Sequence, residues 1–149
     1  MNACTIAEPI RHATLVRAAP ERVYAAIATA GGLDGWFTTG AEVDARPGGR
    51  IVFRWRNWGP DRLTLEDEGW VLKAVPGKEF SYRWHPDGPG YATTVHLTFH
   101  PSPEGTVVRV EESGYHDTPS GRRALLDCAC GWGEALTLMK FYIENGVRC

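Results

Sequence analysis

The sequence predicts an α+β fold in which a curved antiparallel sheet of about seven strands wraps around one long C-terminal helix, with two short helices after the first strand. Three observations predict it. Between residues 41 and 113 apolar and polar side chains alternate with period two, in segments divided by glycine- and proline-rich connectors too short to hold a crossover helix. From residue 119 onward apolar side chains step by four and three, the period of an amphipathic helix. Ahead of both, a strand-like run passes directly into a helix start at Pro20.

That first strand is read from Ile10 to Arg17. Proline at the first helical position and Glu21 in the first turn open a helix whose stripe is Val23, Ala26, Ile27 and Ala30. Gly31-Gly32 is expected to stop it, and Leu33 to Phe37 to form a second short helical turn that delivers two aromatics inward. Ala41 to Ala45 and Arg50 to Trp58 read as strands joined by the turn Arg46-Pro47-Gly48-Gly49. Leu63 to Val75 and Lys78 to His85 follow, with Pro76-Gly77 as a tight hairpin between them. The loop Pro86 to Gly90 leads to strands at Ala92 to His100 and Thr106 to Ser113, separated by Pro101 to Gly105. After Thr118-Pro119-Ser120 the stripe Leu125, Ala129, Trp132, Leu136, Met139 and Ile143 draws a long helix that Gly146 ends. Gly131 and Gly133 flank Trp132 inside it, at about 1 kcal/mol each relative to alanine, which implies close backbone approach or room left beside the indole.

Composition sets the bounds. A chain of 149 residues fits one domain, 1–149 with its core at 10–147, able to bury roughly 68–70% of the surface its unfolded form exposes. Sixteen basic against 18 acidic residues give a net charge of −2, which offers no electrostatic footprint for nucleic acid or an anionic membrane. The N-terminus lacks a basic region followed by an apolar run, and no stretch of about 18 apolar residues occurs, so a cytoplasmic protein with no membrane partner is expected. Cys4, Cys128, Cys130 and Cys149 suit neither a disulfide framework nor a metal site, since a helix projects Cys128 and Cys130 about 200° apart. They are expected to be small buried or half-buried residues.

Local words in this order resemble a known family. Ala19-Pro20-Glu21-Arg22-Val23-Tyr24, Trp36-Phe37, Arg46-Pro47-Gly48-Gly49-Arg50, Gly69-Trp70-Val71, Gly131-Trp132 and Asn145-Gly146 are similar to words of the bacterial homologues of the activator of heat-shock protein 90 ATPase, within the START-like or SRPBCC superfamily. The resemblance implies the helix-grip (START-like, Bet v 1-like) fold. It also implies an apolar cavity between the terminal helix and the sheet, used by different members for lipids, polyketides or hormones, and, from the family's name, a chaperone partner. It implies no shared catalytic set.

The residues themselves point to a chamber. Alternation places Phe53, Trp55, Tyr82, Trp84, Val95, Leu97, Phe99, Val108 and Val110 on the helix-facing side, with Trp36, Trp132 and Leu136 closing around them. An excess of Trp and Tyr, which carry polar handles, suits a lined cavity better than a dry interior. Glu112 continues the period of Val108 and Val110, so its carboxyl points inward. Three roles stay open for it: an acceptor that lines the pocket, a structural acid paired with an arginine or a helix end, or a general acid/base. Arg54 and Arg56 should face solvent opposite Glu66-Asp67-Glu68, with which they can pair across strands. His96 and His100 lie about 13 Å apart on a strand and cannot share an ion; His12, His85 and His116 are expected in loops or at the surface.

No nucleophile elbow, zinc helix, phosphate loop or dinucleotide fingerprint is present. The function expected is therefore non-catalytic binding of a small hydrophobic or aromatic molecule by Trp36, Phe53, Trp55, Tyr82, Trp84, Leu97, Phe99, Glu112, Trp132 and Leu136, with no cofactor or metal. Two alternatives stand beside it: stimulation of a heat-shock protein 90 ATPase, and an aromatase/cyclase in which Glu112 or Tyr82 shuttles protons for a polyketide-like substrate. An edge strand or the outer face of the terminal helix could support a homodimer.

Overall fold

A computed structural model describes residues 4–149; residues 1–3, part of the N-terminal stretch read above for a leader, lie outside the described residues. β1 (Ile10–Val16) is followed by α1 (Pro20–Ala28) and α2 (Ala30–Leu33). β2 (Glu42–Val43), β3 (Arg50–Trp58), β4 (Leu63–Val75), β5 (Glu79–Trp84), β6 (Thr93–Ser102) and β7 (Gly105–Ser113) then run as a meander, and α3 (Pro119–Asn145) closes the chain. All seven strands join one sheet in the order β1-β7-β6-β5-β4-β3-β2, every neighbouring pair antiparallel. The α+β helix-grip architecture expected from the sequence is the one observed.

Three boundaries differ from the sequence reading by more than one residue. α1 ends at Ala28, because Thr29 adopts an extended conformation and its hydroxyl accepts a 3.0 Å hydrogen bond from the Gly32 amide, capping a new helix. Gly31 and Gly32 thus lie inside α2. Gly32 serves close packing there, since a Cβ would collide with the Ala25 carbonyl. β2 is only two residues long, because the chain turns after Asp44: the Arg46 amide donates to the Asp44 carbonyl and the Gly49 amide to the Arg46 carbonyl, both at 2.8 Å. β6 runs on through Pro101 and Ser102, which pair with Thr106 and Gly105, so Pro103-Glu104 alone makes the turn.

Burial follows the two periods. The α3 stripe sets Trp132, Leu136, Met139 and Ile143 into the core, Thr118 caps the helix through a 3.0 Å bond from the Gly121 amide, and Gly146 ends it in the left-handed conformation. α1 covers the opposite part of the sheet, where Tyr24 meets Phe80 and Phe99 edge to face at 6.0 and 5.6 Å. Arg22 ties the two helices together by donating to the Ile143 carbonyl at 2.7 Å. No helix among the described residues is long and apolar enough to cross a membrane.

The outer face carries the charge pattern that alternation dictates. Arg54 pairs with Glu66 directly across the ladder and with Glu42 on β2, while Arg50 grips Glu68 through two bonds of 2.6 and 3.1 Å. These contacts raise the pKa of both arginines and lower that of Glu68. Asp67 departs from the expected outward cluster. Strand parity turns it to the inner face, where it meets His85.

Two irregularities bend the sheet on its β3–β4 side. Register shifts occur between Trp55 and Trp58 and between Val71 and Lys73, with Asn57 in the left-handed region at a φ of 52°. Bulges of this kind increase local twist and re-aim neighbouring side chains.

Candidate functional site

The middle of the chamber that the sequence suggested is packed. Trp36, Phe53, Tyr82, Leu97 and Leu136 are buried around a void of only about 10 Å³, room for one water and no larger guest. Trp36 is fixed there by its own indole N–H, which donates to the Ala26 carbonyl at 2.9 Å. Phe99 belongs to the α1 contact with Tyr24.

Open space lies to one side instead. A cleft of about 280 Å³ opens between α3 and the bent β3–β5 part of the sheet, large beside the ~150 Å³ that encloses a benzene ring. Four indoles, those of Trp55, Trp58, Trp84 and Trp132, form its walls together with the Phe37 ring. The rings contact one another in series: Phe37 with Trp58 at 5.7 Å and with Trp55 at 5.3 Å, Trp55 with Trp84 at 6.4 Å, and Trp84 with Trp132 at 6.0 Å. At the mouth, Leu63 and Leu65 sit on the inner face of β4 yet remain 43% and 45% exposed, so apolar surface is left for something else to cover. On the helix side Gly131 offers no side chain, and a Cβ there would meet nothing within 4 Å. Gly131 thus leaves room at the cleft; Gly133 does not line it, and a Cβ there would meet only the His12 ring at 4.0 Å, so neither glycine is there for close backbone approach.

Behind two of these indoles lies Glu112, wholly buried. Its Oε2 accepts from the Trp84 indole N–H and the Thr93 hydroxyl, both at 2.7 Å, and its Oε1 accepts from the Trp132 indole N–H at 2.9 Å. One carboxyl therefore joins β5, β6, β7 and α3, and fixes the planes of two wall residues. The arginine partner allowed for in the sequence reading is not what satisfies it; two indoles and a hydroxyl do. Glu112 itself does not line the cleft, whereas the two indoles that donate to it do. Tyr82, the other residue considered for proton shuttling, is buried with its pKa held well above the usual value by desolvation and then by Glu112.

Polar groups at the cleft are few. Asp67 accepts from the His85 backbone N–H at 2.6 Å through Oδ2 and meets His85 Nδ1 at 2.9 Å through Oδ1. His85 is therefore a paired, half-buried ring in the cleft wall, where the sequence suggested a loop or surface histidine. Across the opening, α3 contributes Asp127 and Cys128. Cys128 is half-buried, within the expectation of buried or half-buried cysteines, while Cys4, Cys130 and Cys149 are exposed, against it.

Burial first, and then the Glu112 charge, push the Cys128 thiol up to about 12. The thiolate is the reactive form, and an ordinary thiol reaches it near pH 8.5. At pH 8.5, iodoacetamide is therefore expected to label Cys130 and Cys149 within minutes and Cys128 at least tenfold more slowly, read by peptide mass spectrometry. Labelling of Cys128 at the rate of Cys130 would contradict this environment.

Of the ten residues that the sequence suggested for the site, Trp55, Trp84 and Trp132 line the cleft. The structure sets Trp36, Phe53, Tyr82, Leu97 and Leu136 around the small central void, Phe99 against α1, and Glu112 behind the wall. Sequence reasoning missed Phe37, Trp58, Leu63, Leu65, Asp67 and His85 as cleft residues. Parity on β4 carried a signal for three of them, because Leu63, Leu65 and Asp67 share the face of buried Val71.

The chain matches the family model described as Activator of Hsp90 ATPase homolog 1-like protein over residues 17–144. Among solved structures, the Aha1 dimer from Colwellia psychrerythraea aligns with a TM-score of 0.76 at 24% identity, over 93% of this chain and 98% of that one. The AHSA1-like protein from Aeromonas hydrophila gives 0.75 at 20% identity, over 93% and 94%. DynU16, a protein in the dynemicin biosynthetic locus, gives 0.79 at 18% identity, over 96% of this chain and 49% of that longer one. At these identities the likeness is one of fold. Comparison by sequence with curated proteins returns no match.

Proposed function

The chain belongs to the Activator of Hsp90 ATPase homolog 1-like family, and from that premise we propose that it is a non-catalytic receptor for a small hydrophobic or aromatic molecule, held in the side cleft between α3 and the β3–β5 part of the sheet. One observation carries the reading: an open cleft of about 280 Å³ walled by four indoles and a phenyl ring, with exposed leucines at its mouth. Pockets for small molecules are concave, mostly apolar and marked by a few convergent polar groups. The walls are also held in place before any guest arrives, because Glu112 fixes Trp84 and Trp132. Pre-organisation of this kind lowers the entropy that binding must overcome.

Guests of one or two rings fit this volume better than a long acyl chain does. Titration of the protein with a library of mono- and bicyclic aromatics, followed by tryptophan fluorescence, should give saturable quenching at micromolar to tens-of-micromolar concentrations. Native mass spectrometry should show a matching 1:1 adduct. A library-wide absence of both signals would remove the receptor reading. The same preparation added to a heat-shock protein 90 ATPase assay separates the chaperone alternative, for which stimulation at micromolar protein is the required result.

A further inference from the structure

We propose that the guest is a cation: an aromatic or compact apolar body carrying an amine or quaternary ammonium group, in preference to a neutral hydrocarbon or a carboxylate. This inference rests on the receptor reading and adds the charge of the ligand to it. The cleft joins the two features that recognise such a group. Its walls are indole and phenyl carbon, whose π faces attract cations, tryptophan most strongly. Among the described residues lining it there is no lysine or arginine, whereas Asp67 and Asp127 both stand at its rim. Among these described residues His85 is the one lining group able to carry positive charge, and it is engaged by Asp67, so the lining stays net negative in either state of the ring.

The buried surroundings reinforce that sign. Glu112 sits one hydrogen bond behind two wall indoles, and among the described residues its hydrogen-bond partners are all neutral donors. An indole N–H bonded to a carboxylate is polarised toward a more electron-rich ring. The Cys128 thiol on the helix wall registers the same field: after burial, Glu112, Asp127 and Asp87 all hold it in its neutral form. A carboxylate guest would meet like charge at low dielectric with no basic group to receive it.

Asp127 offers the lever for a test. It is exposed on α3 and, among the described residues, has no hydrogen bond or ion pair, so its replacement leaves the core untouched. The probes are benzyltrimethylammonium, its neutral isostere neopentylbenzene, and 3-phenylpropionate, each titrated against the wild-type protein at low and physiological salt. The ammonium is expected to bind about tenfold more tightly than its isostere, and the carboxylate most weakly. In Asp127→Asn the ratio of ammonium to isostere affinity should shrink severalfold, and in Asp127→Lys the order of ammonium and carboxylate should reverse. Binding of the isostere as tight as the ammonium, or carboxylate first in the wild type, would overturn the inference and leave the receptor standing. Binding of none of the three, together with a silent aromatic library, would bring down both.

Discussion

Replacement of Glu112 by alanine is expected to cost about 3–5 kcal/mol of unfolding free energy, a large share of the 5–15 kcal/mol by which proteins of this kind are stable. The carboxyl accepts from three groups that are themselves buried, and an alanine would leave two indole N–H groups and a hydroxyl without partners. Each orphaned donor costs roughly 1–3 kcal/mol, and the emptied volume adds a cavity term. A fall of roughly 10–15 °C in the thermal midpoint corresponds to that loss in a chain of this length. Glu112→Gln keeps the shape and turns an amide NH₂ toward at least one donor, so about 2–3 kcal/mol should go. Urea denaturation measures both variants, and the glutamine form gives a reading should the alanine form not fold. A loss below about 1 kcal/mol in both would mean that Glu112 is not the joint between α3 and the sheet.

The same joint changes how one obvious binding variant must be read. Trp84→Ala removes a wall of the cleft and also a donor to Glu112, so reduced affinity there would mix two causes. Trp55 has stacking neighbours, Phe53 at 5.8 Å among them, and no part in the carboxyl network. Its contribution to binding is the cleaner of the two.

Much of the architecture was legible because it rests on periods. Alternation from β3 to β7 fixes which side chains face α3, and the four-and-three steps of Trp132, Leu136, Met139 and Ile143 fix the face that α3 returns. Glu112 could be read as inward-pointing for the same reason, as the continuation of Val108 and Val110. What periodicity does not carry is the third dimension of contact. Trp84 and Trp132 stand 28 and 20 residues from Glu112, and only their convergence in space makes them its donors. Thr29 shows a smaller version of the same limit, since one capping hydroxyl outweighed the Gly31-Gly32 signal.

The site was less legible than the fold. One face of a sheet is a single pattern in sequence, yet the structure divides it into a filled centre around Leu136 and an open flank beside Gly131. That division depends on where the bulges at Trp55/Trp58 and Val71/Lys73 bend the strands, and on how little of β4 the helix covers at Leu63 and Leu65. The Asp67–His85 pair does not follow from the β4–β5 register, in which Trp70 faces Arg83 and Glu68 would face His85; it forms because His85 lies just past the end of β5 at Trp84, where the chain leaves the ladder. Strand parity alone would turn His85 to the outer face, so a sequence does not give this pair without knowing where β5 ends.

Gly131 supplies the variant that separates binding from folding most sharply. Glycine inside a helix costs about 1 kcal/mol relative to alanine, and a Cβ at this position would meet empty space. Gly131→Ala should therefore raise the thermal midpoint by roughly 2–4 °C. A phenylalanine at 131 would project the same way and bury a ring among the indoles, where an aromatic side chain can cover 150–250 Å². It would then occupy the cleft as an intramolecular guest, competing with the external one. Affinity for the aromatic probes should fall by about a hundredfold, or 2.7 kcal/mol, while stability stays at or above that of the wild type. Most binding-site substitutions lower both quantities together, so a variant that gains stability as it loses its ligand can only have filled the space. Wild-type affinity in Gly131→Phe would place the guest elsewhere on the molecule, and the helix glycine would be left with its cost and no counterpart.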